Sequence, residues 1–397
     1  MKKIALFLTV FIFAAMFLPS DVKAAKTVTI TVYNWGQYIA DGTDDCADII
    51  KLFEEAYPDI KVNYLTFDSN ETMYTKLKTG GDSYDVIVPS DYMVEKLIEE
   101  DMLLELNFDN IPNYEYVDDN FKYLPYDPEN KYSVPYTWGH VGLIYNSKYV
   151  NEEDATGWEL MWNPTYAGKI LMFDNCRDAF AIGESLLGYS LNTEDPDELA
   201  AVAAKLDEQK YLIQSYVMDQ IFERMEREEA WIAPYYAGDF LTMYEENDAL
   251  RFLTPDQGFN VFTDALCIPK SARHKEEAEC FINFLCEPEI SGLNMDYICY
   301  SSPISAAKEY MDEELASSEI IYPPEDLLSK GEAFFALSME GTQLMNRLWL
   351  DVKAGDDMLA SYLWITGGAI VFVIALWLFF KIRRARRIAR RCTHLPD

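Results

Sequence analysis

A chain of 397 residues with 67 acidic against 33 basic side chains has a formal net charge of −34, a balance that repels nucleic acid and anionic lipid and attracts cations. Half of its residues are hydrophobic and 14% are aromatic, which excludes an acidic disordered tract, and its length suggests two domains. The 7 cysteines form no CxxC pair and the histidines number 3, so neither a structural zinc site nor any other metal or cofactor is expected.

The chain begins with basic Lys2 and Lys3, an apolar run from Ile4 to Phe17 and the small-residue pattern Val22-Lys23-Ala24. These read as a cleaved secretory signal peptide over 1–24, or else as an uncleaved signal anchor; either directs the adjoining chain out of the cytoplasm. β-branched and aromatic runs predict strands at Thr27–Tyr33, Ile60–Phe67, Asp85–Val88, Val141–Tyr145, Lys169–Phe173, Trp231–Tyr235 and Asn260–Ile268. Between them, helical periodicity marks Asp44–Tyr57, with Ile49, Ile50, Phe53 and Tyr57 on one face, then Glu71–Leu77, Tyr92–Glu100, Pro196–Lys210 and Lys275–Cys286. This alternation predicts an α/β fold with a mostly parallel sheet. No Gly/Ser linker separates the halves, so two lobes that share the chain more than once fit best. Cys267, Cys280 and Cys286 fall inside apolar patterns, where buried free thiols are expected.

Near the carboxyl end, Leu359–Phe380 is almost wholly apolar and runs into the basic cluster Lys381–Arg391. About 20 apolar residues cross a bilayer and Lys/Arg clusters stay on its cytoplasmic side, so 359–380 reads as a single transmembrane helix and 381–397 as a basic cytoplasmic tail. The exported part, 25–380, then holds 23 basic against 65 acidic residues, a net charge near −42.

In open α/β sheets ligands bind beyond the carboxyl ends of strands. Here those positions carry Tyr33–Tyr38, Pro89–Tyr92, Asp174–Asp178 and Tyr235–Asp239, and Phe262–Asp264 lies within the last strand. Each segment brings an aromatic ring, a carboxylate or both. Rings offer a negative π face and apolar surface, and carboxylates accept charge-assisted hydrogen bonds, a combination suited to a flexible polyamine. Such grooves also bind sugars, and Asp174 with Asp178 has the makings of an acid and nucleophile pair for glycoside cleavage. No GxSxG, HExxH or P-loop accompanies them.

The segments Tyr33-Asn-Trp-Gly-Gln-Tyr38, Asp68–Lys78, Tyr84–Tyr92, Tyr132-Ser-Val-Pro-Tyr-Thr-Trp-Gly139 and Asp264-Ala-Leu-Cys-Ile-Pro269 resemble, in order over 27–355, the spermidine/putrescine-binding proteins of bacterial ABC transporters. The resemblance implies a two-lobed periplasmic-binding-protein fold, type II-like, with a central ligand cleft. It places lobe 1 at 26–140 and 264–308 and lobe 2 at 141–263 and 309–355. It also implies that Trp35, Tyr38, Tyr92, Tyr235, Phe262 and Tyr300 form aromatic walls. Ser90 would make a polar contact, Asp264 and Asp178 would hold ammonium groups, and Gly36 and Asn175 would belong to the same site. The family commonly has Trp at Tyr235 and Phe262 and Glu at Asp178. It has a second Asp at Asn175, Glu at Gln37 and a late Gln at Phe335. These losses of charge lean the expectation toward putrescine or another diamine over spermidine, unless Asp174 or Asp239 compensates.

The implied role is an extracytoplasmic, non-catalytic capture subunit that hands putrescine or spermidine to ABC permease subunits and their ATPase. Family members are otherwise periplasmic or lipid-anchored, so the carboxyl-terminal helix is this chain's own departure. A membrane-anchored sensor, or a binding protein for another small solute, is the alternative, although the six residues after Arg391 are too few for a signalling domain.

Overall fold

The computed structural model of the protein describes residues 27–43, 46–81, 83–354 and Lys381. The expected signal peptide, the transmembrane helix at 359–380 and the tail beyond Lys381 lie outside these residues. Among the described residues no helix is long and apolar enough to cross a membrane.

The strands are β1 (Val28–Trp35), β2 (Ile60–Phe67), β3 (Val86–Ile87), β4 (Ser133–Asn146), β5 (Ile170–Phe173), β6 (Ile213–Val217), β7 (Ile232–Tyr236), β8 (Leu250–Leu253), β9 (Phe259–Cys267) and β10 (Gly331–Glu332). The helices that matter to the site are α1 (Ile49–Ala56), α2 (Asn70–Thr79), α3 (Asp91–Glu99), α4 (Cys176–Leu187), α5 (Pro196–Gln209), α6 (Ile221–Glu226), α7 (Ala237–Glu246), α8 (Lys275–Leu285) and α9 (Pro288–Ile298). Residues 339–354 are also helical.

Local chemistry sets the helix starts. The side chains of Asp48, Ser69, Asn175 and Asp195 accept hydrogen bonds from the first free backbone N–H groups of α1, α2, α4 and α5, and Pro196 occupies the first turn of α5. Gly188, at φ 73°, closes α4 in the left-handed conformation that glycine adopts without strain.

The strands form one sheet in the order β2-β1-β3-β9-β4-β7-β5-β6, with β8 paired to β4. It contains the same pattern twice. In β2-β1-β3-β9-β4, three parallel strands are followed by an antiparallel β9 and then by β4; in β6-β5-β7-β4-β8, three parallel strands are followed by an antiparallel β4 and then by β8. Strand β4 serves both halves, pairing with β9 through Ser133–His140 and with β7 and β8 through Val141–Asn146. Pro135, which has no N–H to give, sits at the register shift in the β4–β9 ladder.

The two largest buried clusters match this division. One joins Ile30, Val32, Ile49, Phe53, Val86, Leu266 and Phe281; the other joins Leu143, Ile144, Ile170, Phe173, Phe180, Leu206 and Ile232, with Met345 and Trp349 from the last helix. Each such large side chain contributes about 1.5–3 kcal/mol on burial. Met311 and Ile321 belong to the first core, and Tyr322 packs against it. Ile320 and Leu327 pack against the second core, so this stretch touches both halves.

Buried Asp85 ties β3 to its neighbours, accepting from the backbone N–H groups of Thr31, Arg273 and His274 at 2.9, 2.9 and 3.0 Å. Cys46, Cys176, Cys267, Cys280, Cys286 and Cys299 are free thiols; Cys392 lies outside the described residues.

Candidate ligand-binding site

The carboxyl ends of β1 and β3 in one half face those of β5 and β7 in the other, and a cleft of about 720 Å³, partly open to solvent, lies between them. Trp35, Gly36, Tyr38, Ser90, Tyr92, Asn175, Asp178, Tyr235, Phe262, Asp264 and Tyr300 all line it. The structure thus brings to one cavity the eleven residues that the resemblance implied for the site.

Backbone irregularities aim these side chains. Gln37 has φ 49°, a left-handed kink that turns the chain sharply between Trp35 and Tyr38. Cys299 caps α9 at φ 60°, and Tyr300 follows it into the cleft. Gly238 is needed there because a Cβ would lie 2.5 Å from the Tyr300 ring; likewise a Cβ at Gly139 would lie 2.9 Å from the ring of its cross-strand partner Phe262. Trp35 packs on Phe67 with ring centroids 4.6 Å apart, and Tyr38 meets Tyr300 edge to face at 4.9 Å.

Asp264 is buried, and its Oδ2 accepts from the Tyr38 hydroxyl at 2.6 Å while Oδ1 has no hydrogen-bond partner among the described residues. Burial pushes its carboxyl up to about 6, against the opposing influence of the nearby Ser90, Tyr38 and Thr137 hydroxyls, of which Tyr38 makes the hydrogen bond. Across the cleft Asp178 accepts from the Tyr236 hydroxyl at 3.0 Å. Burial raises its carboxyl to about 7, with Glu71 adding to the rise and the Tyr236 bond and Arg177 opposing it. Asp239 rises to about 8, chiefly through burial, and Asp219 rises through burial and then the charge of Asp68. Asp91, behind Asp264, is also pushed well up by burial.

Every one of these carboxylates lines the same cavity, and no Lys or Arg is among its described lining residues. Arg177 stands behind the wall, its guanidinium 4.6 Å from the Phe334 ring and hydrogen-bonded to Asn192 and the Phe335 carbonyl. Convergent carboxylates held above their ordinary range by desolvation favour a cation that restores their charge, and the surrounding rings suit an aliphatic body between cationic groups.

Residues 81–325 match the bacterial extracellular solute-binding proteins. The spermidine/putrescine-binding periplasmic protein of Salmonella typhimurium is 32% identical over 314 residues, covering 79% of this chain and 88% of that protein. The chain belongs to the bacterial extracellular solute-binding protein family. The putrescine-binding periplasmic protein PotF of Escherichia coli is 28% identical, over 86% of this chain and 96% of its own length. Among solved structures, the spermidine/putrescine ABC transporter substrate-binding protein PotD of Streptococcus pneumoniae superimposes with a TM-score of 0.70 at 34% identity, covering 83% of this chain and 99% of that one. Solute-binding proteins of ABC transporters bind their solutes and do not transform them.

Three positions near the cleft are tied to their surroundings in ways the sequence does not show. Asn175 lines the cleft, but its side-chain oxygen caps α4 by accepting from the Arg177 N–H. Asp174 is ion-paired with Lys353 of the last helix and does not line the cleft. It therefore neither restores charge to the site nor pairs with Asp178 as a hydrolytic acid and nucleophile. Phe335 is exposed, and the late aromatic that lines the cleft is its neighbour Phe334.

Sequence reasoning missed Phe67, Asp68, Asn70, Asp91, Met218, Asp219, Tyr236 and Asn260 as lining residues. Tyr236 and Asp91 stand within segments already singled out, and Asp68 and Asn70 open another, so neighbourhood alone was a usable signal. Met218 and Asp219 follow β6, which no periodicity marked.

Proposed function

We propose that this solute-binding protein captures a polyamine of the putrescine or spermidine class between its lobes and delivers it to an ABC permease. The observation that carries this reading is the convergence of carboxylates from both lobes on an aromatic-walled cleft with no basic side chain among its described lining residues. Asp264 and Asp178 hold ammonium groups. Trp35, Tyr38, Tyr92, Tyr235, Phe262 and Tyr300 enclose the methylene chain, Ser90 and Asn175 add polar contacts, and Gly36 keeps the wall open. The names of the relatives point to the same ligand class.

The binding domain works outside the cytoplasm, with lobe 1 built from 26–140 and 264–308 and lobe 2 from 141–263 and 309–355. Leu359–Phe380 tethers it, and the basic tail stays inside. A tether raises the effective concentration of the binding protein beside its permease.

Uptake of labelled spermidine and putrescine by cells tests this reading. Deleting the chain is expected to abolish high-affinity uptake, and a version lacking 359–397 is expected to restore it only weakly. Binding by the purified protein with no change in uptake would reject the transport role in favour of a sensor.

A further inference from the structure

Asp219 reaches into the cleft from the loop between β6 and α6, on the second-lobe side, and its carboxylate is placed by two contacts. Oδ1 accepts from the Tyr235 hydroxyl at 3.4 Å, and Oδ2 lies so close to Gly36 of the first lobe that a Cβ added there would stand 3.0 Å from it. Any side chain at 36 would push on this carboxylate, so the glycine and Asp219 belong together. Asp68 follows β2 on the first-lobe side and lines the same cavity, and its charge is felt at Asp219, as Asp219's is at Asp239. The Trp35–Phe67 ring pair lines this end too.

The other carboxylates are held elsewhere: Asp264 by Tyr38 and Asp178 by Tyr236. Asp264 is only 4% exposed, yet its Oδ1 lacks a partner among the described residues, which marks the cleft as built to receive a donor there. Beside the buried Asp264 and Asp178, the cleft therefore carries a second carboxylate pair, the solvent-exposed Asp219 and Asp68. Resting on the polyamine reading above, we propose that Asp219, reaching across to Gly36, forms with Asp68 a further ammonium site that selects a triamine over a diamine. This reverses the lean toward a diamine drawn from the charges missing at Gln37 and Asn175, because carboxylates from other loops restore them.

The test is a calorimetric titration of the full-length protein and its Asp219→Asn and Gly36→Ser variants with spermidine and with putrescine at pH 7.5. Asn keeps the shape and removes the charge; Ser at 36 displaces the carboxylate. Asp219→Asn is expected to weaken spermidine binding by about 10- to 100-fold, as for loss of a charged hydrogen-bond partner, and putrescine binding by less than about 3-fold. Gly36→Ser is expected to weaken spermidine binding as well, by moving the carboxylate, with no selectivity required because Gly36 itself lines the cleft. Equal losses for both ligands in Asp219→Asn, or no loss for spermidine in either variant, would overturn the assignment while leaving the polyamine reading intact. Failure of the unmodified protein to bind either amine would remove the reading on which it rests. Melting of unliganded Asp219→Asn at or above the unmodified protein's temperature is expected, since the substitution relieves repulsion from Asp68; a lower melting temperature would contradict the placement of that charge.

Discussion

Replacing Asp264 by Asn is expected to weaken polyamine binding by on the order of 100-fold or more while leaving the fold intact. The carboxylate is buried at the β9 position that bridges Ser90, one oxygen is held by Tyr38, and the other has no partner among the described residues. Asn preserves the shape, and its amide oxygen accepts the Tyr38 hydroxyl as the carboxylate does. What is lost is charge. A ligand ammonium buried against a neutral amide keeps its desolvation cost without its ionic partner, which costs about 3–5 kcal/mol where buried pairs are broken. Calorimetry supplies the affinity, and thermal unfolding shows whether the variant stays folded. A folded Asp264→Asn protein that binds spermidine like the unmodified one would remove Asp264 from the site.

The second large effect is on pH dependence. Asp264, Asp178 and Asp239 are raised to about 6, 7 and 8, in each case chiefly by burial, whereas an exposed Asp ionises near 3.9. A dication or trication favours the ionised carboxylates, so binding expels protons in this range. Affinity for spermidine is therefore expected to rise by about 100-fold from pH 6 to pH 8 for each proton that leaves on binding across that range, since linkage gives about a tenfold change per pH unit per proton.

The sign for stability is opposite. A carboxyl raised in the folded state stabilises fully below its unfolded value, and the contribution is lost as pH climbs through the folded one. Without ligand these three groups thus lower the melting temperature as pH goes from 6 to 8, and spermidine raises it more at pH 8 than at pH 6. His140, buried and lowered to about 4, works in the other direction, but its contribution falls away as pH drops below its unfolded value near 6.5. Melting curves with and without ligand, together with titrations in buffers of different ionisation enthalpy, measure both effects. A pH-independent affinity with no proton release would mean that these carboxylates do not face the ligand.

How much of this was legible in the sequence depended on the kind of signal. The strands expected at Ile60–Phe67 and Lys169–Phe173 and the helices expected at Pro196–Lys210 and Lys275–Cys286 occur within a residue or two of those bounds, because each carries an uninterrupted period. Strand β4 begins at Ser133, well before the expected Val141, since Pro135 and Gly139 obscure its alternation and only the β9 ladder holds it extended. Helix α4 was missed although Arg177, Asp178, Glu184 and Ser185 recur seven apart on one face; that polar face is itself buried, as Phe180 and Ile182 are. Short β8 and β10 are strands only because β4 and β9 offer them edges.

The site was legible where one loop carries ring and acid together, as Phe262–Asp264 does, or two rings, as Trp35–Tyr38 does. It was not legible where function depends on contact between the lobes. Nothing in the sequence pairs Gly36 with Asp219, and nothing shows that Asp174, four residues before Asp178, turns away to Lys353.

Calorimetric titration of the purified protein with spermidine, putrescine and an uncharged disaccharide tests the central claim most directly. A single site for at least one polyamine, with a dissociation constant of about 1 μM or lower and no heat from the disaccharide, is the predicted result. A folded protein that binds the disaccharide, or that binds no polyamine at any pH between 6 and 8, would contradict it.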